Sequence, residues 1–234
     1  MPPRRKMRCA FLQTILRAWT ATDTSAFGYN PSMYEIELKA RVPDRSALLL
    51  RLQEFASFSR RIKRDDTYYR IPAKPGAHTR QDENGAAYVG IRLRTEYSEN
   101  AAGSETKTLL TYKRKRSGLD NAIEVNDERE CELTDAAALS TFFEDAGMMP
   151  VLRKRKEVDV YECATPFGTA ALEVCTVPPL GDFLEIEILS AANDAGTVCA
   201  VQAELHILLE KAGLSRALIE PRYYSELLRI RADG

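Results

Sequence analysis

The sequence has few of the residues that form disulfide frameworks or zinc sites. Its 234 residues include five cysteines, at positions 9, 131, 163, 175 and 199, and two histidines. The cysteines are odd in number, widely spaced and without a CxxC pair, which argues against both kinds of site and is typical of a reducing cytosol. A bound metal would have to rest on carboxylates, which favour a hard ion such as Mg²⁺ or Mn²⁺.

The sequence also lacks long apolar runs and an excess of charge of either sign. No apolar stretch approaches the roughly 20 residues of a membrane-spanning helix, so we expect a soluble, cytoplasmic protein without a membrane partner. The 33 Lys and Arg residues nearly balance 34 Asp and Glu residues, which excludes a global attraction to nucleic acid. With 44% hydrophobic residues, the chain can bury a sizeable core, and its composition excludes disorder and coiled coils.

The first 32 residues differ from the rest, because they hold five bases and a single acid, Asp23. We expect residues 1–32 to be a basic N-terminal extension that is disordered, or misannotated with Met33 as the true start; a targeting peptide is the alternative. Residues 33–234 would then form the one folded domain.

From Tyr34 onward, apolar and charged residues alternate, which predicts β-strands interrupted by helices. The expected strands are 34–42, 59–71, 87–96, 107–116, 121–133, 151–163, 168–177 and 182–190. The expected helices are 44–56, 135–147, 196–213 and 223–228, and polar stretches at 72–86 and 97–106 predict long hairpin loops. These elements indicate the α+β class.

Charged residues share one face of nearly every strand. In the first strand Glu35, Glu37 and Lys39 alternate with Ile36 and Leu38. A solvated face of an antiparallel sheet would explain one such strand, but it would normally carry Thr, Ser, Gln and Asn. We therefore predict an eight-stranded antiparallel closed β-barrel, with helices packed on its apolar exterior and charges lining a tunnel.

A charged tunnel makes physical sense around a ligand that is itself densely charged, since ions removed from water are costly unless compensated. Clustered bases suit a triphosphate small molecule, and clustered glutamates suit the metal ion that accompanies it. The basic run Lys113–Arg116 could suggest nucleic-acid binding. Its alternation places Lys113 and Lys115 inside, so no nucleic-acid partner is expected.

Seven short motifs follow one another between residues 33 and 229. They are EIELK (Glu35–Lys39), DTYY (Asp66–Tyr69), IRLR (Ile91–Arg94), LTYK (Leu110–Lys113), RECE (Arg129–Glu132), LGDFLEIE (Leu180–Glu187) and RYYSELL (Arg222–Leu228). In this order they resemble ExExK, DTYF, LRxR, LTYK, RxExE, LGDFxExE and RSYxELL of the CYTH family. That family, the triphosphate tunnel metalloenzymes, includes class IV adenylate cyclases and thiamine triphosphatases.

The resemblance implies an enzyme that acts on a triphosphate inside the tunnel. The implied metal ligands are Glu35, Glu37, Glu185 and Glu187, joined by Glu173, with Mg²⁺ or Mn²⁺ as the ion. The implied phosphate-binding bases are Lys39, Arg92, Arg94, Lys113, Arg153 and Arg155, and Lys39 and Glu37 are the expected catalytic residues.

The last two motifs favour a class IV adenylate cyclase-like reaction, from ATP to cyclic AMP and pyrophosphate. The alternatives are a triphosphatase acting on thiamine triphosphate, tripolyphosphate or a nucleoside triphosphate, and a non-catalytic polyphosphate- or nucleotide-binding protein.

The sequence leaves two alternatives open for the roles of some side chains. Glu130 and Glu132 either join the metal site or pair with tunnel bases. If the sixth strand slips by one residue, Lys154 and Lys156 take the inward places, although its binary pattern favours Arg153 and Arg155.

One position departs from the resemblance. Where the family has LDxV before LGDF, the chain has Val174–Val177, with Cys175 in place of the acid. Either Glu173, on the same face, supplies the missing carboxylate, or the site binds metal less well.

Overall fold

The computed structural model describes residues 34–70, 90–116, 123–192 and 194–233. For residues 90, 113–116, 124–128 and 233 it describes the backbone but not the side chain. The expected extension, residues 1–32, and the expected loop at 72–86 lie outside these ranges.

The described residues form eight strands and four α-helices, close to their expected places. The strands are β1 (Tyr34–Arg41), β2 (Ser57–Arg70), β3 (Gly90–Asn100), β4 (Gly103–Arg116), β5 (Glu124–Glu132), β6 (Met149–Thr165), β7 (Gly168–Val177) and β8 (Gly181–Ser190). The helices are α1 (Arg45–Leu52), α2 (Ala136–Asp145), α3 (Ala195–Lys211) and α4 (Tyr224–Asp233), with a 3₁₀ turn at Arg216–Leu218.

The prediction of a long loop at 97–106 is wrong. Strands β3 and β4 continue through this segment and are joined by a tight hairpin, where Gly103 has a φ of 141° that suits glycine.

The strands pair antiparallel in the order β1-β5-β4-β3-β2-β6-β7-β8. The first strand, β1, pairs with β8 from Tyr34↔Ser190 to Arg41↔Phe183. On its other side β1 meets β5 through four residue pairs only, Tyr34 to Glu37. The α+β class and the eight antiparallel strands are thereby confirmed, in a sheet that curls into a barrel with a short seam between β1 and β5.

The main apolar core lies outside the barrel, between its wall and the helices. Buried residues of β1, β7 and β8 form one cluster with α1 and α3: Ile36, Leu38, Leu172, Val174, Leu184, Ile186, Ile188, Leu48, Leu52, Val201, Leu205 and Leu208. Asp44 and Asp194 cap these helices by accepting hydrogen bonds from the backbone N–H groups of Ala47 and Thr197, each at 3.0 Å. Because side chains alternate along a strand, the acidic and basic residues between these apolar positions face the barrel interior.

A second apolar cluster fills one end of the interior, where the β7–β8 hairpin lies. Inward-facing residues of four strands pack there with α4: Ile62, Val158, Val160, Cys175, Val177, Phe183, Tyr224 and Leu227. The C-terminal helix therefore covers this end of the barrel. None of the helices in the described ranges combines the length and the apolar character needed to cross a membrane.

Two leucines on β8 test whether the outer face is the main core. Leu184 is 0% exposed and Leu189 is 46% exposed. We predict that Leu184→Ala lowers the free energy of unfolding by about 2–5 kcal/mol, because it leaves a cavity under the helices. The same change at Leu189 should cost less than about 1 kcal/mol. Urea denaturation would measure both, and equal losses would contradict this placement of the core.

Candidate active site in the barrel interior

An acidic pair on β7 and β8 is held by two bases inside the barrel. Glu173 and Glu185 are direct strand partners. The Lys156 ammonium lies 3.1 Å from Glu173 and 2.5 Å from Glu185. Arg64 donates to both oxygens of Glu173, at 2.7 and 2.9 Å. These four residues, which we call the inner cluster, carry two negative and two positive charges.

The bases keep both acids of the inner cluster ionised although they are buried. Burial alone would raise the pKa of the Glu185 carboxyl, but Lys156 outweighs it and holds this pKa at about 2. Burial likewise acts against Glu173, and Arg64 and Lys156 hold the pKa of its carboxyl well below the usual range. Paired charges of this kind are stable only together, because removing one leaves the others buried and uncompensated.

Cys175 faces inward beside the inner cluster, as the alternation along β7 predicts. Its sulfur and the nearest oxygens of Glu173 and Glu185 lie within 4.8 Å of one another. Burial, followed by the nearby Glu185 carboxylate, raises the pKa of the thiol well above its ordinary value. The side chain is therefore a neutral thiol, and a neutral thiol is a poor ligand for a hard ion.

A second cluster joins β2, β3 and β6. Arg94 donates to both oxygens of Asp66, at 2.7 and 3.1 Å, and the Lys154 ammonium lies 3.1 Å from the same carboxylate. Burial would raise the pKa of Asp66, but Lys154 and Arg94 together hold it far below its ordinary value. Asp66 thus fixes two cationic groups inside the barrel.

The expected inward positions of Arg153 and Arg155 are wrong. Arg153 is exposed, and the side chain of Arg155 is 84% exposed and pairs with Asp65. Lys154 and Lys156 face inward instead, as the alternative phase of the strand predicts. The reason is the apolar end of the interior, where Val158 and Val160 lie on the same face as the lysines.

On the β3–β5 side, Thr111 and Arg92 contact an acid. Thr111 donates a hydrogen bond of 2.9 Å to Glu130, and Arg92 lies 3.8 Å from the same carboxylate. This geometry matches the ion-pair interpretation of Glu130, while Glu132 is exposed. The side chain of Lys113 is outside the described part of β4.

The acids on β1 and β8 oppose each other across the strand boundary. Glu37 is the direct partner of Glu187, and Lys39 is the direct partner of Glu185. Directly opposed residues on one face of a sheet have Cβ atoms about 5 Å apart, where two like charges repel. Carboxylates on opposed residues offer the hard oxygen ligands that Mg²⁺ and Mn²⁺ prefer, so the residues present fit a divalent ion.

Tyr224 brings the C-terminal helix to the interior lysines. Its ring centroid lies 4.6 Å from the ammonium of Lys39, 5.0 Å from that of Lys154 and 5.9 Å from that of Lys156. The Lys39 ammonium also donates a hydrogen bond of 2.6 Å to the backbone oxygen of Arg222. Burial, and then the Glu185 carboxylate, raise the pKa of the Tyr224 hydroxyl well above its ordinary value.

Interior roles for Arg64, Asp66 and Tyr224 were not among the predictions from the sequence. The first two carried a usable signal, because Ile62, Arg64 and Asp66 occupy alternate positions of β2 and so share a face. Tyr224 carried no alternation signal, since it reaches the interior from a helix outside the barrel wall; its place in the RYYSELL motif was the available indication.

Comparison with known proteins supports the same architecture. The family model described as the CYTH domain matches residues 33–224. No curated protein matches the chain.

Several solved structures share the fold. The PH1819 protein of Pyrococcus horikoshii is 23% identical with a TM-score of 0.64, over 84% of this chain and 99% of that chain. A conserved hypothetical protein of Pyrococcus furiosus is 24% identical with a TM-score of 0.59, over 82% and 99%. A "putative adenylate cyclase" from Vibrio parahaemolyticus is 18% identical with a TM-score of 0.61, over 85% and 99%.

Neighbouring aspartates on β2 test the importance of the buried charges. The Asp66 side chain is fully buried between two bases, whereas Asp65 is 65% exposed in a surface pair. We predict that Asp66→Asn lowers the free energy of unfolding by about 3–5 kcal/mol, since it leaves Arg94 and Lys154 without a counter-charge. Asp65→Asn should cost less than about 1 kcal/mol. Thermal and urea denaturation would compare them, and similar small losses would show that the interior charges are solvated.

Proposed function

Because the chain belongs to the CYTH domain family, we propose that it is a divalent-metal-dependent enzyme that acts on a triphosphate inside the barrel. The first candidate is a class IV adenylate cyclase-like reaction, in which the 3'-hydroxyl of ATP attacks the α-phosphorus and pyrophosphate leaves. The observation that carries the proposal is the convergence of Lys39, Lys154 and Lys156 on one interior region, next to opposed glutamates of β1 and β8.

The bases supply binding and charge stabilisation for the phosphate chain. Phosphoryl and nucleotidyl transfer require mainly positioning and neutralisation of charge, which fixed cations provide. Asp66 holds Lys154 and Arg94 in place, so their positions are set before a ligand arrives. We assign Lys39 and Arg92 to the same phosphate-binding surface.

For the metal, the proposed ligands are Glu37 and Glu187, which oppose each other, with Glu35 two residues along β1. A divalent ion held there would neutralise phosphate oxygens and orient the reacting groups. Glu37 and Lys39 are the proposed catalytic residues, since they alternate on β1 and so present an acid and a base to the same interior region.

A triphosphatase is the second candidate, and the packing of the α4 end favours it. Apolar side chains and Tyr224 fill this part of the interior, which leaves less room for a nucleoside next to the bases. A substrate that is mostly phosphate, such as tripolyphosphate, fits this arrangement. Water would then attack the terminal phosphorus and break its bond to the bridging oxygen, so that orthophosphate forms and pyrophosphate leaves.

The decisive experiment is to incubate the protein with ATP, thiamine triphosphate and tripolyphosphate under Mg²⁺ and Mn²⁺ and to identify the products by chromatography. We expect turnover that stops in excess chelator, and Glu37→Gln should lower kcat at least roughly 100-fold, because it removes a ligand charge. The matched variant Glu157→Gln, at an exposed position on the outer face of β6, should keep full activity. Tight binding of triphosphates without turnover would instead identify a non-catalytic binding protein.

Adjacent bases on β6 test which face binds phosphate. We predict that Lys154→Ala raises the Kd for tripolyphosphate about 10-fold or more, as expected for one lost charged hydrogen bond. Arg155→Ala, which removes an exposed base one residue away, should change the Kd less than about 2-fold at physiological salt. Calorimetric titration measures both, and a larger effect at Arg155 would place the phosphates outside the barrel.

A further inference from the structure

The inner cluster is saturated by bases belonging to the protein itself. Glu173 accepts two hydrogen bonds from Arg64 and one from Lys156. Glu185 accepts the other hydrogen bond from the Lys156 ammonium, whose side chain is 4% exposed. The lysine therefore lies between two strand-paired carboxylates, which is the place that a bridging cation would occupy.

The charges of the inner cluster balance without an added ion. Glu173 and Glu185 contribute two negative charges, and Lys156 and Arg64 contribute two positive ones. Arg64 also pairs with Glu96 at 2.7 Å, and Lys39 faces Glu185 from β1, so the count stays balanced when these two neighbours are added. Cys175, beside them, contributes a thiol rather than a carboxylate. An acid at position 175 would leave the cluster with one negative charge in excess, so the thiol and the lysine are matched to each other.

The other acidic pair of this wall differs in its register. Glu37 and Glu187 are opposed two residues along the strands from Lys39 and Glu185, a distance of about 7 Å. In the first pair both residues are acids, whereas in the second pair an acid faces a lysine. The inner cluster therefore adjoins the position at which Lys39 faces Glu185, and not the position at which Glu37 and Glu187 are opposed.

We propose that the Lys156 ammonium takes the place of a second divalent ion, so that the barrel binds a single metal ion, on the side of Glu37 and Glu187. This inference rests on the proposed function only for that one ion. The neutrality of the inner cluster, and hence its lack of metal affinity, follows from contacts that involve no metal.

The test is to count bound Mn²⁺ on the full chain, without substrate, by equilibrium dialysis and by the electron paramagnetic resonance signal of free Mn²⁺. We expect one ion per chain for the natural protein and for Lys156→Arg, which keeps the charge. Lys156→Met keeps much of the side-chain volume but removes the charge, and we expect it to bind a second ion. Two ions bound to the natural protein would overturn the inference.

Cys175→Asp tests the same balance without removing the lysine, and it serves if Lys156→Met does not fold. We expect this variant to gain one Mn²⁺, because it adds the missing negative charge, while the matched Cys175→Ser binds one ion only. A Cys175→Asp variant that folds and gains no ion would overturn the inference. Failure of the proposed metal site looks different: the natural protein would bind no Mn²⁺ at all, and Glu37→Gln would change nothing.

Discussion

The structure depends on the pairing of opposite charges inside the barrel. Asp66, Glu173 and Glu185 are buried together with the bases that they hold. Buried ion pairs of this kind contribute less to net stability than apolar packing does, but breaking one is costly because its partner stays behind. The interior is thus organised by electrostatics, and the stability of the molecule comes chiefly from the apolar layer between the barrel wall and the helices.

The C-terminal segment links these two regions. Glu220, which is buried, accepts hydrogen bonds from Arg41 of β1 and from Arg222. Two residues further on, Tyr224 enters the interior among the lysines. These contacts connect β1, which carries the proposed catalytic pair, to the helix that covers one end of the barrel. A displacement of this helix would therefore shift the side chains of β1.

Most of the fold could be predicted from the sequence, because alternation of apolar and charged residues persists over whole strands. The same rule placed Glu173, Cys175 and Arg94 on the interior side. It assigned the charged side chains of β6 to the wrong faces, because it equated apolar residues with the outer face. Val158 and Val160 in fact lie inside, under α4. Which charges pair with one another depends on the stagger of neighbouring strands, as between Arg64 and Glu173, and a single sequence does not encode that stagger in any local pattern.

The position of β1 has a consequence for how the chain folds. This strand is made before the other seven that the structure describes, yet its most extensive partner, β8, follows it by roughly 150 residues. Until β8 is available, β1 can use only the short seam with β5, and its remaining backbone donors and acceptors form an exposed edge. Pairing at such separation is slow, because loop closure precedes the contacts that reward it. During synthesis on the ribosome, β1 therefore remains incompletely paired until β8 has been made, and an incompletely paired strand edge is prone to aggregation.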